Sequence, residues 1–261
     1  MGIKEQSRET RRSSPLKRIL QVTAGGVGLA AVGYAATSGL IWARYGHPPR
    51  ANENESDSML DRFIPVYDVV ERHQITVEAP ASITLAAAGE QDLMSNPVIR
   101  TIFLARAWAL GGTPETRPLP HHLLPLVRSI GWRVLAENCG REIVVAAVTQ
   151  PWEADVTFHG LTPDAFAAFK DPGYVKIAWS LRADPLGVDR SIFRTETRAI
   201  ATDPVSRAKF RRYWTFAAPG IWLIRRASLR PLKLEAERRA RAQKRGTTGG
   251  SICLDASHGS L

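Results

Sequence analysis

Residues 193–214 read FRTETRAIATDPVSRAKFRRYW, and the way this stretch divides decides how the whole chain is arranged. Alternation places Phe193, Thr195, Thr197 and Ala199 on one face of a strand and Arg194, Glu196 and Arg198 on the other. Asp203-Pro204 then supplies a helix start: a carboxylate to cap free amides, followed by a residue whose missing N–H costs nothing there. Beyond it, Phe210, Tyr213, Trp214, Ala217, Ile221, Ile224 and Leu232 gather on one side of a helical wheel, with Arg211, Arg212, Arg226 and Arg230 elsewhere. The stretch is a last strand joined to a long amphipathic helix, which Pro219 and Pro231 are expected to kink or divide.

Working outward, Val66 to Val77 alternates and is rich in β-branched residues, so it reads as a first strand, closed by Pro80. Ile83 to Met94 and Val98 to Leu110 have helical periodicity, the second opening with Asn96 as cap and Pro97 at its first position. Strands over Trp132 to Glu137 and Glu142 to Thr149 flank Asn138-Cys139-Gly140-Arg141, a hairpin signal. A short strand, Ala154 to His159, precedes a small helix started by Thr162-Pro163. Tyr174 to Arg182 alternates with Val175, Ile177, Trp179 and Leu181 on one face. The order is strand, two helices, a run of antiparallel strands and one long helix. It has no βαβ alternation or nucleotide-type glycine loop, so the fold class is α+β.

No charge interrupts Ile19 to Ala43, which is long enough to cross a bilayer and ends near Trp42 and Tyr45. Residues 1–18 form a basic flank carrying Lys4, Arg8, Arg11, Arg12, Lys17 and Arg18. Positive-inside logic keeps that flank in the cytoplasm and sends the domain across a single-pass membrane helix. The segment reads as a retained signal anchor; the alternatives are a cleavable signal peptide ending near Tyr34-Ala35-Ala36 and a twin-arginine signal at Thr10-Arg11-Arg12 and Leu16-Lys17, whose spacing fits poorly. Residues 44–58 read as a polar linker, 59–245 as the folded domain and 246–261 as a disordered tail. The net charge of +10 is concentrated in the flank and the C-terminal helix. That balance suits anionic lipid; nucleic acid is not an expected partner of an anchored protein. Cys139 and Cys253 read as free thiols.

Several stretches carry a family likeness: Ile75-Thr-Val-Glu-Ala-Pro80, Gly140-Arg-Glu-Ile-Val144, Ala165-Phe-Ala-Ala-Phe169, Thr195-Glu-Thr-Arg198 and Ser206 to Trp214. With the element order, they resemble a bacterial branch of the START / polyketide cyclase-like superfamily (SRPBCC). That resemblance implies a helix-grip fold, a curved antiparallel sheet of about six to seven strands around a long C-terminal helix. It also implies an apolar cavity for a lipid or other hydrophobic small molecule. The added transmembrane helix is not typical of the superfamily.

Trp132, Trp152, Phe158, Phe166, Trp179, Tyr213 and Trp214 are the expected ligand-binding residues, large rings converging on one concave space. Glu196, supported by Arg198, and Glu142 are the candidate catalytic groups: a carboxylate buried with an arginine could serve as acid or base if it faced the cavity. If the charged face points outward it is a solvated ladder instead. The six histidines show no metal-site spacing, and neither a metal nor a cofactor is expected. The leading functional reading is a membrane-anchored binding protein for a hydrophobic or amphipathic molecule. A cyclase/aromatase- or hydratase-like enzyme, and a structural or assembly module without ligand, are the alternatives.

Overall fold

The computed structural model describes residues 32–49, 51–52, 56–112 and 118–249. The basic flank 1–18, the first part of the expected membrane span and residues 250–261 lie outside them. Residues 32–44, which include the described part of that span (32–43), are helical (α1). Among the described residues no helix is long and apolar enough to cross a membrane.

The remaining elements follow in chain order as α2 (Ser58–Asp61), β1 (Val69–Val77), α3 (Ala81–Gly89), α4 (Pro97–Leu110), α5 (Leu123–Ser129), β2 (Arg133–Asn138), β3 (Glu142–Thr149), β4 (Phe158–His159), α6 (Pro163–Ala168), β5 (Val175–Pro185), β6 (Ser191–Ala201) and α7 (Pro204–Gly249). All strand pairs are antiparallel, in the order β1-β6-β5-β3-β2 with β4 added to β3. A six-stranded curved sheet with one long C-terminal helix fits the helix-grip arrangement.

Local chemistry explains most boundaries. Asn96 accepts from Val98 N at 3.0 Å to open α4. Asp203 accepts from Ser206 Oγ and from Gly173 N, Ser206 N and Val205 N, the amides at 2.6, 3.0 and 2.8 Å, which opens α7 and holds its carboxyl well below the usual carboxylate range. Gly140 turns the β2–β3 hairpin at φ 71°, where a side chain would be strained. The helix expected to reach Met94 stops at Gly89, because Asp92 folds the chain back, accepting from Met94 N and Ser95 N. The strand expected over Ala154 to His159 keeps only its last two residues.

The division of α7 at its prolines does not occur; it runs unbroken for 46 residues, past the start of the expected tail. Phe210, Trp214, Ala218, Leu229, Leu232, Ala236 and Ala240 form a buried stripe that holds it on both sides of each proline. Gln91 Nε2 donates to Ser228 O at 2.8 Å beside Pro231. Gly220 permits a close crossing, since a Cβ there would stand 3.1 Å from Ile102 of α4. Along edge strand β1, Lys233 donates to Thr76 O at 2.9 Å and Glu237 accepts from Glu78 N at 3.1 Å, so α7 covers backbone groups that would otherwise be open.

The sheet is buried on both faces. α7 lies over one. The other is covered by α6 and by a strap, residues 56–67, whose Leu60, Phe63 and Ile64 pack on Val144, Ala146, Val148 and Ala178. Asp57 is buried and caps α2, and Tyr45 is buried beside Phe210. The segment read as a linker over 44–58 therefore contributes to the core at both ends. Its polar composition hid these two anchors.

Arg198 fastens the strap. Its guanidinium, 2% exposed, donates to Glu196 at 2.6 Å, Asp61 at 2.6 Å and Ile64 O at 2.9 Å, and lies 4.8 Å from the centre of the Tyr67 ring. Replacing Arg198 by Met leaves the buried Ile64 carbonyl without this donor and Glu196 with Arg72 alone, while half-exposed Asp61 turns to water. The expected cost, read from denaturant unfolding, is about 1–3 kcal/mol.

Candidate functional site

The layer between sheet and α7 is not uniformly apolar. One cluster joins Val69, Val175, Ala199, Phe210, Trp214 and Ala218; another joins Val77, Leu181, Phe193, Leu229 and Leu232. Between them, strand pairing sets Glu71 beside Thr197 and His73 beside Thr195, with Trp179 next to Thr197. In-phase spacing keeps all five side chains on the helix side.

Arg225 closes this belt from above. It occupies the buried stripe of α7, seven residues after Ala218 and four before Leu229, where the pattern calls for an apolar side chain. It donates to Thr197 Oγ1 at 2.9 Å and to Thr195 Oγ1 at 3.4 Å, and its guanidinium lies 5.4 Å from the centre of the Trp179 ring. The residue as a whole keeps some exposure, but its charged end is stripped of water; desolvation pulls it down to about 10, with the Glu71 carboxylate offsetting part of the effect. Among the described residues no carboxylate forms an ion pair with it. His73 Nε2 is buried without a hydrogen-bond partner, 3.6 Å from Glu71. A desolvated cation, an unsatisfied imidazole nitrogen and two hydroxyls in one belt can receive an anionic or carbonyl oxygen.

The carboxylates singled out from the sequence sit on the opposite face. Glu196 is 5% exposed and turned toward the strap, where Arg72 donates to it at 3.0 and 3.2 Å and Arg198 at 2.6 Å. Both of its oxygens are committed to arginine, so it fastens the strap instead of entering the sheet–helix layer. Glu142 is on the same strap face, and Arg198 points away from α7 with them. Burial and the nearby Asp57 carboxylate push the Glu142 carboxyl up to about 8, against the pull of Arg182. Asp57 itself accepts from Leu60 N at 2.8 Å and Ser180 Oγ at 2.7 Å. An open cleft of about 270 Å³ lies on this face, lined by Asp57, Arg72, Ser180, Arg194 and Glu196 among others.

The aromatic set does not line one concavity. Trp132 packs on Phe158 and Trp179, at 4.9 and 6.1 Å between ring centres. Phe166, fully buried, lies across the sheet beside Phe63 because α6 crosses the strap face. Tyr213 and Trp214 surround Phe210, and Trp152 packs at the margin of that cluster under Lys209. A second cleft, about 260 Å³, opens between the α3–α4 connection and α7. None of the seven rings lines either cleft. Only Trp179 adjoins the polar belt. Among the described residues no group of three His, Cys, Asp or Glu converges on a metal position.

Glu71, His73 and Arg225 were missed because each belongs to a local run of charge. Their signal is phase: Glu71 and His73 alternate with Val69, Ile75 and Val77, and Arg225 is in step with the buried face of α7.

No family model matches the chain, and no curated protein matches it. Among solved structures it is similar to norcoclaurine synthase from Thalictrum flavum, at 11% identity and a TM-score of 0.31 over 73% of this chain and 95% of that one. The Zhui aromatase/cyclase from Streptomyces sp. R1128 aligns at 15% identity and a TM-score of 0.21, over 67% and 96%. The di-domain aromatase/cyclase BexL of the BE-7585A biosynthetic pathway aligns at 16% identity and a TM-score of 0.24, over 64% and 46%. The fold assignment rests on strand register and not on these superpositions.

The raised Glu142 pKa makes stability pH-dependent in one direction. The folded state holds a proton that the unfolded chain releases, so this contribution is complete below about pH 4.5 and is lost as pH rises through about 8. Glu142→Gln keeps the neutral form at every pH. Thermal unfolding across that window is expected to fall for the native chain and to flatten for the variant.

Proposed function

We propose that this protein binds an amphipathic small molecule with an acidic head, held between sheet and α7. The anion sits on Arg225, and the apolar body lies against Trp179 and the flanking clusters. The observation that supports this is Arg225 itself, a desolvated guanidinium that, among the described residues, forms no ion pair and has only the more distant Glu71 charge to offset it, at a position whose phase is apolar. Leaving such a group in the interior lowers stability unless something else selects for it. Trp179 and Leu229 are buried in this layer, so uptake in this proposal requires the contact between sheet and α7 to open. Membrane attachment through Ile19–Ala43 is retained in this proposal as the route by which an amphipathic ligand is met.

A second reading, an enzyme of cyclase type, is favoured by His73. Its free Nε2 could take a proton beside a substrate carbonyl while Arg225 stabilises the resulting oxyanion.

The binding reading is tested by thermal unfolding of the full chain with decanoic acid and with decanol. A ligand at one hundred times its Kd stabilises by about 2.7 kcal/mol. The acid is expected to raise the unfolding temperature of the native chain and to lose that effect in Arg225→Gln, with decanol acting equally on both. A shift by the acid that survives in Arg225→Gln, or no shift at all, overturns the assignment.

A further inference from the structure

Three neighbouring helices on the α7 side of the sheet present apolar outer faces. α4 exposes Leu104 (62%) and Trp108 (87%), α7 exposes Phe216 and Trp222, and α1 exposes Leu40 and Trp42. α4 crosses α7 at Gly220. α1 lies beside the first turns of α7: Tyr34 donates to Phe216 O, and Arg211 donates to Trp42 O at 2.9 Å, its guanidinium 4.0 Å from the centre of the Trp42 ring. Scattered apolar side chains are ordinary on a surface, but a continuous group of large ones marks a contact. Residues 32–44, 97–110 and 204–234 contain no Asp or Glu, while Arg100, Arg212, Arg226 and Arg230 are exposed among them. Arg226 lies 5.6 Å from the centre of the Trp222 ring.

We infer that this face of the folded domain rests on an anionic phospholipid bilayer, tryptophans at headgroup depth and arginines on phosphates. Three observations favour lipid over a second copy of the chain. A two-fold contact would press one carboxylate-free cationic face against another. Tryptophan and arginine side by side suit the interfacial region. The sequence entering α1 is uncharged from Ile19 onward, so the patch adjoins a segment of hydrocarbon character. The inference is independent of the ligand reading, since none of these side chains belongs to the Arg225 belt.

The test uses the full chain with Cys139→Ser and Cys253→Ser, carrying an environment-sensitive fluorophore at Leu104→Cys, Trp222→Cys or Val188→Cys, one at a time. Val188 is 86% exposed in the β5–β6 turn and serves as the remote reference. Vesicles of phosphatidylcholine and phosphatidylglycerol contain a nitroxide-bearing lipid. Blue-shifted, quenched emission is expected at positions 104 and 222 and not at 188, weakening when phosphatidylglycerol is omitted. Emission at 104 and 222 matching that at 188 overturns the inference. So does a blue shift without vesicles that grows with protein concentration, which would identify a second copy as the occupant.

Discussion

A guanidinium that is 2% exposed must be answered by oxygen atoms, and the way Arg198 is answered organises this molecule. Its partners come from its own strand, through Glu196, and from the strap, through Asp61 and Ile64 O. The strap can therefore lie only where β6 turns its charged face. Because β6 pairs with β1 and β5 in fixed register, that choice also fixes which face is left for α7. Arg72 extends the clasp by holding Glu196 from the neighbouring strand and reaching Tyr67 and Pro49 O.

This arrangement separates two kinds of buried charge. On the strap face most charges are matched: Glu196 by two arginines, Asp184 by Arg182 and Arg194, Arg198 by two carboxylates; Glu142, with one oxygen buried and unpartnered, is the exception. Such networks hold structure in place. On the helix face, among the described residues, Arg225 meets hydroxyls, an aromatic ring and the field of Glu71, and His73 Nε2 has no hydrogen-bond partner, with the Glu71 carboxylate 3.6 Å away. An incompletely matched polar belt between two apolar clusters is costly to keep in a resting core. It is the part of the fold where binding has most to gain.

Much of the architecture was legible in the sequence. The alternation over residues 191–201, the Asp203-Pro204 start, the Asn96-Pro97 start and the hairpin around Gly140 all depend on chemistry within a few residues of each other. The direction of Glu196 was not legible, because alternation pairs it with Arg194 and Arg198 without saying which face α7 takes. The burial of Tyr45 and Asp57 was hidden for a similar reason: their partners Asp68, Phe210 and Ser180 are remote in the chain. The aromatic residues were grouped by size and not by phase. Phe166 was thereby assigned to the same space as Trp179, although the sheet stands between them.

If the two faces differ in this way, an acidic amphiphile should affect only one of them. Hydrogen–deuterium exchange on the full chain with and without decanoate reads this directly. The account predicts slower exchange in the β1 segment around Glu71 and His73, the β6 segment around Thr195 and Thr197, and the α7 turn bearing Arg225, with the strap 56–67 unchanged. Protection appearing in the strap and around Ser180 instead, or in neither place, would contradict it.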